Sequence, residues 1–108
     1  VRRDQEGGEV IHDLKIRTQW LARVKSGEKR FELRAHDRDY QVGDVLHLIE
    51  VNEFGTPISY PSAADEPEGP DRGHNTFDVR VLHVLDGRQA DGINDGYCLL
   101  SIAPVEVP

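Results

Sequence analysis

Ser26 to Asp44, SGEKRFELRAHDRDYQVGD, is the stretch on which the fold of this chain turns. Gly27 supplies the left-handed stop of a short helix. From about Lys29 to Ala35 apolar and charged residues alternate, the pattern of a half-buried strand. Phe31 and Leu33 point one way, to an expected core, and Arg30, Glu32 and Arg34 point the other. His36 to Gln41 is a charged loop whose Asp37-Arg38-Asp39 can pair with itself or brace Arg34. Val42-Gly43-Asp44 then turns the chain into the next strand. The polar face of the strand holds a carboxylate between two guanidiniums, which suits a ligand better than a core.

Upstream, Val1 to Glu9 is polar, contains Gly7-Gly8, and is expected to be a flexible leader. Val10 to Arg17 is a first strand carrying Val10, Leu14 and Ile16. His12 on it is either a structural histidine or a polar contact at a cleft edge. Thr18 is placed to cap a helix whose Trp20, Leu21 and Val24 bury one face. Arg23 and Lys25 sit near its C-terminal end, where the helix dipole favours cations. Trp20 is then a core anchor, or a surface on which a base stacks.

Downstream, Val45 to Phe54 is a strong strand, Gly55-Thr56-Pro57 a turn, and Ile58 to Tyr60 a short return strand. Pro61 to Asn75 lacks large apolar residues and carries Asp65, Glu66, Glu68 and Asp71 among its prolines. It is expected to be a mobile acidic loop that repels phosphate. Thr76 to Leu85 is a strand with Phe77, Val79, Val81 and His83 on one face. Asp86 to Gly96 is a loop, Tyr97 to Ala103 a last strand, and 104–108 a tail. Five to six strands with one or two short helices predict an α+β domain built on a small curled sheet or β-barrel.

A chain of 108 residues is one domain with a core of modest size. No apolar run approaches the roughly 20 residues that span a bilayer, so no membrane partner is expected. The one cysteine, Cys98, lies in an apolar strand, where an internal disulfide is impossible and a buried thiol is expected. A cytoplasmic protein is expected. The net charge of −7 speaks against nucleic acid, but its distribution does not. Lys15 to Arg38 holds eight of the thirteen basic residues and three acids, whereas Val51 to Pro108 holds ten acids and three basic residues. A local basic patch holds phosphate on an acidic protein because fields decay over about 8 Å at physiological salt.

His12, His36, His47, His74 and His83 are scattered without ligand pairs at short spacing, so no metal is expected. No phosphate-binding glycine loop, nucleophile elbow or activated cysteine is present, and no cofactor is expected. Lys29, Glu32 and Arg34 remain. They form a surface ladder, or a binding site for phosphate and a base edge, or, for Lys29 and Glu32, an acid/base pair.

Three segments then carry a resemblance. His12-x-Leu14-Lys15 precedes the helix. Ser26-Gly27-x-Lys29-x-Phe31-Glu32-x-Arg34 follows it, and Asp37-Arg38-Asp39-Tyr40-Gln41-Val42-Gly43-Asp44 leads into the next strand. Over residues 10–103 the chain resembles the DUF3850 group of ASCH domains in the PUA-like superfamily, with 61–75 as an insertion. The resemblance implies a small PUA-like β-barrel with helices outside and a cleft beside the Gly-x-Lys-x-x-Glu-x-Arg segment. It also implies RNA binding or, in some members, amidohydrolase activity on N4-acetylcytidine. Those amidohydrolases use a lysine, a threonine three residues on, and a later glutamate. Lys29 matches the lysine, Glu32 replaces the threonine, and only Asp91 or Asp95 approximates the glutamate. The expected partner is therefore RNA, a nucleotide or a nucleoside. Lys15, Lys29, Glu32, Arg34 and Arg38 would contact it, with Trp20 or Tyr97 as the stacking surface. The alternatives are a small hydrolase of modified nucleosides or RNA using Lys29 and Glu32, and a protein partner for the basic face.

Overall fold

A strand buried on both faces must lie in the middle of a sheet. VLHLIEV, from Val45 to Val51, is buried at every position but Ile49. In the computed structural model, which describes residues 2–3, 8–62, 64–66 and 68–105, it sits between two other long strands. The elements are β1 (Arg2–Arg3), β2 (Val10–Arg17), α1 (Thr18–Ser26), β3 (Phe31–Ala35), β4 (Val45–Val51), β5 (Thr76–Asp86) and β6 (Tyr97–Pro104). The sheet order is β1-β2-β4-β5-β6-β3. The β2–β4 pair is parallel and the other pairs are antiparallel. The parallel pair requires a long crossover, and residues 18–44, with α1 and β3, provide it.

The sheet curls until β3 comes back toward β2, where Arg34 Nη2 donates to the Lys15 carbonyl (2.9 Å). This is the expected small barrel, left open along one seam. Leu14, Ile16, Leu46, Leu48, Val79, Val81, Cys98, Leu100 and Ile102 fill its inside, with Leu21 and Val24 of α1. Among the described residues no helix is long and apolar enough to cross a membrane.

α1 starts without a side-chain cap. Its N-cap residue is Arg17, and Thr18, expected to cap it, is instead helical and hydrogen-bonds to Glu50. Gly27 (φ 85°) closes the helix as expected, its N–H donating to the Val24 carbonyl (3.2 Å). Trp20 is not core: it is 42% exposed, because a nine-residue helix buries only Leu21 and Val24.

β3 departs most from its reading. It begins at Phe31 rather than Lys29, and its faces are exchanged. Phe31 and Leu33 are 48% and 57% exposed, while Glu32 is 3% exposed. As the terminal strand, β3 turns its inner side toward charged groups at the seam rather than toward apolar neighbours.

Other boundaries shift for local reasons. β4 ends at Val51, before Phe54, and the segment after the turn makes isolated bridges, Val51 with Pro57 and Ser59 with His74, rather than a strand. A register shift between Val81 and His83 turns His83 outward, away from the face of Val79 and Val81. The acidic loop is joined to the rest of the molecule by backbone hydrogen bonds at its C-terminal end. Tyr60 N–H donates to the Gly73 carbonyl (2.6 Å) and Glu50 N–H to the Asn75 carbonyl (3.0 Å). Of the expected leader, Arg2 and Arg3 pair with Ile11 and Val10. Residues 1, 4–7, 63, 67 and 106–108, on which parts of the leader, loop and tail readings fall, lie outside the described residues.

Candidate functional site

The open seam is a cleft of about 630 Å³. β2 contributes Lys15, Ile16 and Arg17 to it, and α1 contributes Trp20 and Arg23. The turn after the helix adds Glu28 and Lys29, and β3 adds Phe31 to Arg34. Five cations against two carboxylates leave the lining at +3 on a chain of net charge −7.

Glu32 holds the floor together. Its side chain is 4% exposed, and both oxygens are engaged. Lys29 Nζ donates to Oε1, and also to the Phe31 carbonyl (2.8 Å). Arg34 Nε donates to Oε2 (2.8 Å), and its Nη2 lies 2.7 Å from the same oxygen. A carboxylate this buried persists because two cations compensate it. The trio keeps a net positive charge, and all three side chains line the cleft. The end of α1 delivers Lys29 here: its backbone N–H donates to the Arg23 carbonyl (3.0 Å) in the turn closed by Gly27. Two aromatic rings flank the charges, with Arg23 5.5 Å from the Trp20 ring centre and Lys29 Nζ 5.0 Å from that of Phe31.

Of the residues singled out from sequence, the cleft gathers Lys15, Trp20, Lys29, Glu32 and Arg34. Arg38 and Tyr97 do not line it. Arg38 pairs with Asp37 (3.7 Å) and stands over the Tyr40 ring, and Tyr97 pairs with Ala35 at the far end of β3. Arg17, Arg23, Glu28, Phe31 and Leu33 were missed. In the sequence Arg23 reads as a helix-end cation and Phe31 and Leu33 as core, and no local pattern distinguishes those roles.

The histidines do other work. His12 is buried and donates through Nε2 to Asp44 Oδ2 (2.8 Å), which also accepts the Gln41 N–H (2.9 Å), so it braces the turn before β4. His47 faces Asp78 across the sheet, and His83 stands opposite Ser101. Its Nδ1 lies 2.5 Å from Asp78 and its Nε2 2.8 Å from Asp71 of the acidic loop. The hydrogen bond to Asp78 raises the His47 pKa against the opposing effect of burial, and the charges of Asp78 and Asp71 add to it. At Glu50 burial pushes the carboxyl up, but bonds from Thr18, Tyr60 and Asn75 and the Lys25 charge outweigh it and hold it low. Burial pushes the Cys98 thiol up, so it is a packed core group rather than a nucleophile. Among the described residues no group of three or more His, Cys, Asp or Glu side chains is placed to hold a metal ion.

A family model described as a domain of unknown function, DUF3850, matches residues 11–102. No curated protein matches the chain.

Proposed function

This chain belongs to the DUF3850 family, and we propose that it is an ASCH-type, PUA-like module that binds RNA or a nucleotide in the seam between β2 and β3. The observation that carries this reading is the cleft's reversal of charge: +3 on a protein of −7, beside two exposed aromatic rings. Cations hold phosphate, and exposed rings stack on bases of any sequence. Glu32 supports binding over catalysis. With both oxygens engaged by Lys29 and Arg34, it positions those donors rather than accepting a proton or a base edge. A cytoplasmic setting fits a chain whose single cysteine is buried.

Trp20 is the only tryptophan and lines the cleft, so its fluorescence reports occupancy directly. Titration with a short mixed-sequence single-stranded RNA is expected to quench it. Arg34→Ala, with an unchanged circular dichroism spectrum, is expected to weaken binding about tenfold, the loss of a charge-assisted contact. Binding of Arg34→Ala at wild-type strength would sink the proposal.

A further inference from the structure

β3 ends the sheet, and among the described residues no strand pairs with its second edge. The ladder to β6 determines which backbone groups that edge presents. Ile102 N–H donates to the Arg30 carbonyl (3.0 Å) and His36 N–H to the Gly96 carbonyl (2.8 Å). Antiparallel pairing alternates, so the even-numbered residues of β3 turn their N–H and C=O to β6 and the odd-numbered ones turn theirs away. Phe31, Leu33 and Ala35 thus present backbone groups on the free edge. The Phe31 carbonyl is taken by Lys29 Nζ. Leu33 lines the cleft, and no side-chain hydrogen bond among the described residues reaches its N–H or C=O. Across the seam, the Lys15 carbonyl of β2 points back toward β3 and is capped by Arg34.

An open strand edge attracts partners that supply a donor and an acceptor. The surroundings select which partner. A lining of +3 calls for an anion, the exposed Trp20 and Phe31 call for a flat ring, and about 630 Å³ is the size of a small-molecule site rather than of a peptide groove. In an extended residue N–H and C=O lie side by side. They complement a base edge that sets an exocyclic amine beside a ring nitrogen, as N6 and N1 do in adenine. Resting on the nucleotide-binding reading above, we infer that the cleft takes one unpaired nucleotide, with its base edge hydrogen-bonded to the Leu33 backbone and its phosphate on Lys29 and Arg34. The backbone reads the base and the cations hold the phosphate.

The test is an amide NMR titration of the whole chain with AMP, N6,N6-dimethyl-AMP and ribose 5-phosphate. AMP is expected to move the Leu33 amide proton downfield and slow its exchange. The dimethyl compound keeps ring and phosphate but has no N6 donor, and is expected to bind about tenfold more weakly. Ribose 5-phosphate is expected to shift Lys29 and Arg34 and leave Leu33 in place. If AMP shifts Arg34 but not Leu33, and no more tightly than ribose 5-phosphate, base reading by the edge is overturned while anion binding in the cleft stands. Protection of Leu33 and Ala35 together by an extended peptide, without a response to AMP, would also overturn it and make the edge a strand-docking site. Silence with all three compounds and with RNA would remove both readings.

Discussion

Glu32 shows how much one residue governs here. It is a buried carboxylate whose two oxygens serve two cations, so removing it leaves Lys29 and Arg34 facing each other without compensation. Breaking a buried ion pair from one side costs about 3 kcal/mol or more. Lys29→Ala, by contrast, leaves Glu32 still bound by Arg34. Urea denaturation is expected to show a loss of about 3 kcal/mol for Glu32→Ala and about 1 kcal/mol for Lys29→Ala. Equal losses would mean that Glu32 is not the shared centre of the trio. Gly27 makes a second case. A Cβ there would find its nearest neighbour, Arg30 Nη2, at 4.0 Å, so space is no obstacle. The cost of Gly27→Ala is that of holding φ at 85°, about 1 kcal/mol, and the same denaturation experiment reads it.

At the scale of elements, the acidic loop is joined to the sheet through His47. Asp78 of β5 holds Nδ1 and Asp71 of the loop holds Nε2, so both ring nitrogens donate and the imidazolium is the bound form. Asp13 of β2 stands beside His47 in the parallel register. The folded state holds the His47 proton more tightly than the unfolded chain does. The stabilisation is therefore complete below the ordinary histidine value near pH 6.5 and is lost as pH rises through the higher folded value. Asp71→Asn is expected to lower stability by about 1 kcal/mol at pH 5.5, and the gap between variant and wild type should close by pH 9. Thermal unfolding at the two pH values measures it, and a gap that does not change with pH would show that the clamp is not ionic. Asp71 thus attaches the loop to β4, a strand that does not contribute to the cleft lining.

For the whole molecule, charge separation is the dominant fact. The cleft is positive within an acidic protein, so attraction acts at short range and repulsion at long range. Binding a short RNA through two or three phosphates gives a slope of log affinity against log salt of roughly −1.4 to −2.1. Raising salt from 50 to 200 mM should then weaken binding roughly tenfold, as followed by Trp20 fluorescence. A salt-independent affinity would leave stacking alone as the source of binding and would remove phosphate from the proposal.

By itself the sequence determined the local elements and the chemistry they carry. Strand alternation located β2, β4, β5 and β6, Gly27 placed the end of α1, and the apolar run around Cys98 marked a buried strand. The spacing of Lys29, Glu32 and Arg34 marked the segment that lines the cleft. Those signals are legible because they arise within one turn or one pleat. Tertiary structure decided which side of β3 is inside. An edge strand is packed on one flank only, and its inner face meets whatever closes the seam, here Glu32 with its cations rather than Phe31 and Leu33. It also decided that Arg17 and Arg23 join Arg34 while Arg38 does not, and that His47 meets Asp71, 24 residues away. Such meetings depend on registers between strands far apart in the chain, and no window of sequence contains both partners.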